Sequence, residues 1–128
     1  MGYDLHITRA EEWTESENAP ITFEEWLAHT KEDLELYEGG YVDRLTNLDN
    51  PDIVKRTPLF GWRRGPNPSD DDPCLEWYKG RVDVKNPDEQ TIKKMLRIAR
   101  VFSARLIGDD GETYSLSILG KVKYSHAE

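Results

Sequence analysis

The chain is poor in the features that would identify a function quickly. Cys74 is its only cysteine among 128 residues, so no disulfide can form within the chain, and a reducing compartment is expected. No apolar run approaches the roughly 20 residues of a membrane-crossing helix, and residues 1–20 show no apolar stretch behind a basic start. A soluble cytoplasmic protein is therefore expected, with no membrane partner. Basic residues are outnumbered, 17 against 25 acids, for a net charge of −8. That balance argues against nucleic acid, whose phosphates call for basic surface. P-loop, GxGxxG and clustered Cys/His patterns are all missing. No catalytic residue, metal or cofactor is expected on these grounds.

The charge that is present is uneven. Between Ala10 and Gly40 stand ten acids (Glu11, Glu12, Glu15, Glu17, Glu24, Glu25, Glu32, Asp33, Glu35 and Glu38) and one base, Lys31. Such a surface suits a basic protein partner, whose approach it would steer. It also suits a plain solvated face.

Four tryptophans, six tyrosines and three phenylalanines supply material for one core, and the length fits a single domain, 1–128. Tyr3 to Thr8 alternates, with Tyr3, Leu5 and Ile7 on one side and Asp4, His6 and Thr8 on the other: a half-buried strand. Arg9 to Pro20 has no period and reads as a loop. A helix follows, with Thr22 and Glu25 spaced as a capping box and Ile21 and Trp26 as a hydrophobic staple. Its stripe is Phe23, Trp26, Leu27, Thr30, Leu34 and Tyr37, its exposed side carries His29, and Gly39-Gly40 is the expected stop.

Residues 41–73 are the least patterned. A short helical turn is expected early in them, a short strand at "TPLFGWRR" and a loop at "GPNPSDDDP". "CLEWYKGRVDVK" predicts a hairpin about Lys79-Gly80 that pairs Tyr78 with Arg81, Trp77 with Val82, Glu76 with Asp83 and Leu75 with Val84. Its apolar face is core; Glu76, Tyr78, Arg81 and Asp83 form the other. A second helix is predicted from an Asn86 cap with Pro87 first. Ile92, Met95, Leu96, Ala99 and Phe102 face inward, and Lys93, Lys94, Arg97 and Arg100 form a basic face. "ARLIGDDGETYSLS" reads as another hairpin, around an Asp-Gly turn. The fold class is α+β: a single mostly antiparallel sheet with two main helices on one face. A strand–helix–strand crossover around residues 87–103 is compatible with it.

His6, with Asp4 beside it, has the composition of an oriented base, but no nucleophile is placed for it; His126 lies in the tail. "GDDGE" lacks the ligand spacing of a calcium loop. Glu76 and Asp83, directly opposed, need Arg81 or a basic partner nearby. In "FGWRRG", Trp62 and Arg63 are either recognition anchors or a core plug with arginines answering the acidic helix.

"MGYDLHITRAEEW" followed by "ITFEEWLAH", then "VKNPDEQTIKKMLRIA" and "ARLIGDDGETY", resembles a family of small bacterial proteins that begin MGYDLHITR. The resemblance covers both ends and transfers no catalytic residue. In size and charge the chain is similar to immunity proteins of polymorphic toxin systems. That implies a binding protein that occludes a cognate toxin. Asp4, His6, Glu76, Tyr78, Arg81 and Asp83, on an open sheet face, together with Trp62 and Arg63, are its expected partner-binding residues. The alternatives are a small enzyme or ligand-binding domain using Asp4, His6 and Arg9 on that face, and a homodimer packed through it.

Overall fold

A computed structural model describes residues 3–45, 49 and 54–125. Strand β1 (Asp4–Thr8) is followed by a 3-10 helix (Trp13–Asn18) and helix α1 (Phe23–Glu32). Strands β2 (Leu36–Leu45), β3 (Val54–Trp62), β4 (Cys74–Tyr78) and β5 (Arg81–Lys85) come next. Helix α2 (Glu89–Val101) and strands β6 (Arg105–Gly108), β7 (Thr113–Leu116) and β8 (Val122–Ser125) complete the order. The eight strands form one sheet, ordered β2-β3-β4-β5-β1-β6-β7-β8. Every neighbouring pair is antiparallel. The fold is α+β, as expected. Because β5 and β6 both run antiparallel to β1, they are parallel to each other, and α2 crosses from one to the other over β1.

Local chemistry explains most of these elements. Lys79 and Gly80 both take positive φ, 50° and 81°, which is the turn that matches the twist of a two-residue hairpin. The register follows: Tyr78 opposite Arg81, Trp77 opposite Val82, Glu76 opposite Asp83. At the start of α1, Thr22 Oγ1 accepts from the Glu25 N–H (3.1 Å) and Glu25 Oε1 accepts from the Thr22 N–H (3.0 Å). Ile21 and Trp26 are fully buried in the core that Leu5, Ile7, Leu75, Val82, Val84 and Leu106 build from the sheet. Met95, Ile98 and Ala99 of α2 close it.

Five expectations are corrected. First, α1 does not run on to Gly39-Gly40. It ends at Glu32, where the Asp33 N–H bonds the His29 carbonyl. Leu34 is exposed and Tyr37 lies in β2. Gly40, at φ 112°, serves a bulge between Glu38 and Tyr41 instead of a helix stop. Second, residues 41–45 belong to β2, which pairs with a β3 longer than expected. The rest of the expected helical turn (46–48 and 50–53), like His126, lies outside the described residues. Third, His29 is tucked in beside the rings of Trp26 and Phe102. Fourth, α2 is capped by Asp88, whose Oδ1 accepts from the N–H (2.9 Å) and Oγ1 (2.6 Å) of Thr91. Asn86, at φ 46°, is turned away from helix geometry and its Oδ1 accepts from the Tyr3 N–H. Fifth, Lys94 leaves the basic face: it is buried and donates to Asp33 and Glu35, both at 2.7 Å. Among the described residues no helix is long and apolar enough to cross a membrane.

Candidate functional site

The side-chain alternation of β1 sends Leu5 and Ile7 toward the helices and His6 to the opposite face. Register places Asp83 of β5 and Ile107 of β6 on either side of His6. The imidazole is held at both ends: Nδ1 lies 2.6 Å from Asp83 Oδ1 and Nε2 lies 2.7 Å from Asp109 Oδ1. Asp109, in the turn after β6, uses its other oxygen to accept from the Asp4 N–H (2.8 Å). Arg81 Nε donates to Asp83 at 3.0 and 3.2 Å, and its terminal nitrogen reaches Ser16 Oγ at 3.2 Å.

The 3-10 helix lies over this cluster. Trp13 stacks on His6, its Nε1 donates to the Asp109 carbonyl (3.3 Å), and Ser16 Oγ donates to the Lys79 carbonyl (2.7 Å). The chain after it is pinned where the Ile21 N–H meets the Gly80 carbonyl at 2.9 Å. Gly80 is needed there twice over: its φ favours glycine, and a Cβ would stand 2.7 Å from Pro20 Cβ. The expectation of an open polar face is therefore corrected at its centre: His6 and Arg81 are buried, while Asp4, Glu76, Tyr78 and Asp83 stay partly exposed. His6 is only 2 % exposed, because a segment with no periodicity of its own folds back across it.

Burial by itself pushes the His6 pKa down, but the hydrogen bonds and negative charges of Asp83 and Asp109 prevail and hold it above its ordinary value. The protonated ring donates from both nitrogens, and with Arg81 it balances the two carboxylates. This is a clamp. A general base needs a nitrogen free to face a substrate, and here neither is free.

The remaining predicted site residues fall in different places. Asp4 joins the cluster through its backbone N–H. Arg9 is on the other face, where it donates to both carboxylate oxygens of Glu25 (2.9 and 2.7 Å) and to the Phe102 carbonyl (2.8 Å). The Arg9 hydrogen bonds, and then the Thr22 N–H, hold the Glu25 carboxyl down at about 2. The expected grouping of Asp4, His6 and Arg9 is thus corrected: alternation places Arg9 with Leu5 and Ile7. Glu76 opposes Asp83 as expected, with Arg81 at the carboxylate and its guanidinium carbon 5.1 Å from the Tyr78 ring centroid. Trp62 is buried and donates to Glu35 at 3.2 Å. Arg63 ties down the carbonyls of Gly65 and Pro66, and Arg64 pairs with Asp88 at 2.5 Å. Trp62 and Arg63 sit on β3 and just beyond it, with β4 and β5 between them and β1, so they do not join the His6 cluster.

Trp13, Ser16 and Asp109 are the residues that sequence reasoning missed. One signal was available for Trp13, a lone large aromatic in an otherwise polar acidic stretch. Outside the clamp, Glu11, Glu12, Glu15 and Glu17 are exposed on or beside the 3-10 helix. Glu11, Glu12, Trp13, Asp109 and Asp110 line a shallow cleft of about 330 Å³. Compared with protein-family models, curated proteins and solved structures, the chain finds no match.

Proposed function

We propose that the chain is a binding protein of the immunity type, which occludes a basic domain of a bacterial toxin through its acidic covering segment. The observation that carries this reading is that Glu11, Glu12, Glu15 and Glu17 are displayed on a backbone clamped from beneath by the Trp13–His6 stack. Acids on a fixed segment lose little freedom when a partner docks, and their field speeds the approach of a cationic surface. The chain's small size and acidic charge, in which it resembles immunity proteins of polymorphic toxin systems, support the same reading. The enzyme alternative through Asp4, His6 and Arg9 is not favoured, since the geometry separates Arg9 from His6 and engages both ring nitrogens.

The test uses the purified product of the neighbouring gene, mixed with this chain at low and high salt. Fast association that slows with salt is expected. The variant E11K/E12K/E15K/E17K is expected to associate at least about tenfold more slowly at low salt with an unchanged melting temperature. No complex, or equal association by both forms at both salts, rejects the acidic segment as the site.

A further inference from the structure

We infer that the groove between α2 and the β6–β7 hairpin is a second docking surface, one that takes an acidic amphipathic segment of a protein partner. It goes beyond the proposed function, because it is opposite in charge to the acidic segment and is built from different residues.

The groove measures about 790 Å³, more than twice the cleft beside Trp13. Arg97 and Arg100 of α2 line it, with the start of β6 at Arg105 and Leu106 as its floor, and the side chains of Arg97 and Arg100 are exposed. Among the described residues neither of these two arginines has a carboxylate partner. Arg9, Arg56, Arg64, Arg81 and Lys94, by contrast, all have carboxylates. The cause is local: from Gln90 to Gly108 the sequence has no acid at all. The other wall is apolar. Tyr114 and Leu116, two apart on β7, face the same way as Leu106 beneath them, and Leu96 approaches from α2. Leu116 remains 38 % exposed, and Ile118 and Leu119 in the following turn are almost fully exposed.

A cationic rim over an apolar wall calls for a ligand with both characters. An acidic amphipathic helix places apolar side chains at i, i+3 and i+4 and carboxylates beside them. Nucleic acid answers the arginines but leaves Leu116 and Leu96 without partners, and the acids elsewhere on the chain repel it.

The probe is a fluorescent peptide of about 15 residues, or about four helical turns, with leucines along one face and glutamates on the other. Its lysine counterpart and an oligothymidylate of equal charge serve as controls. Saturable anisotropy is expected with the glutamate peptide alone. It should weaken at least about tenfold in R97E/R100E and clearly in L116S, each checked by melting temperature. Both variants are expected to keep salt-dependent association with the basic partner, so failure here leaves the acidic-segment reading standing, and the reverse also holds. Four results overturn the inference: no saturable binding of the glutamate peptide, equal binding of the lysine peptide, oligothymidylate binding as tight as the glutamate peptide, or light scattering that shows a second copy of the chain in the groove and a monomer in the arginine variant.

Discussion

The imidazole of His6 and the indole of Trp13 lie face to face, ring centroids 4.0 Å apart and planes 13° from parallel. This one contact converts a polar strand face into an interior and fixes the acidic segment above it. A cationic ring against an aromatic face adds electrostatic attraction to the area buried.

Removing that ring should be costly. In His6→Ala, Asp83 and Asp109 keep their charges but lose the cation between them. The expected loss is roughly 3 kcal/mol, the low end for breaking a buried pair, since Asp109 is partly wet. A urea melt measures it. Adding Asp109→Asn to His6→Ala should recover part of the loss, because one of two facing carboxylates is gone. An unchanged midpoint for His6→Ala would show that the clamp contributes nothing to stability.

The two described histidines should give stability a maximum near pH 6.5, their ordinary value. His6 has a raised folded pKa, so its contribution is complete below 6.5 and is lost as pH rises through the folded value. His29 is shifted the other way: burial lowers its pKa, Asp33 opposes that, and Lys94 adds to it. Its contribution is complete above 6.5 and is lost as pH falls through its folded value. Melting temperatures between pH 5 and 9 should show both limbs, with His6→Asn flattening the alkaline limb and His29→Asn the acid limb.

Trp26 is fully buried beside Phe60 and Phe102. Trp26→Ala is expected to cost about 3–5 kcal/mol, as for other buried aromatics. Thr22→Ala, which removes only the cap acceptor, should cost about 1 kcal/mol. Denaturant midpoints of the two variants should therefore separate clearly; equal midpoints would mean that the staple, Ile21 with Trp26, does not anchor α1.

Gly108→Ala tests a buried carboxylate on the helix side. A Cβ there would stand 2.3 Å from Glu112 Oε2, and Glu112 cannot swing away cheaply, since it is buried and accepts from the hydroxyls of Tyr3 and Tyr114. Displacement should cost about 1–3 kcal/mol, as overpacking does. The Tyr3 phenol, pushed up to about 12 by burial and by the Glu112 carboxylate, should move back toward 10. Alkaline absorbance titration reads that shift, and an unmoved phenol would show that Glu112 stays in place.

The hairpin at Lys79-Gly80, the Thr22–Glu25 box and the alternation of Tyr3 to Thr8 were legible because each depends on residues a few positions apart. The end of α1 was not. Leu34 and Tyr37 continue a helical spacing, whereas in the structure Asp33 turns the chain by accepting from the Glu35 and Leu36 N–H groups and is held by Lys94 arriving from α2. The β2–β3 hairpin escaped for a related reason: Gly39-Gly40 looks the same as a helix stop and as a strand bulge until a partner strand is present. The polar face of β1 is the clearest case. The sequence determined that Asp4, His6 and Thr8 share one side of a strand and that Arg81 and Asp83 share one side of another. Whether that side meets water depended on a six-residue 3-10 helix, too short to carry a periodic signal, and on Asp109 arriving from a turn about a hundred residues away in the chain. Alternation sets direction, but burial is decided by what lies opposite, and for His6 only the tertiary structure supplied Trp13.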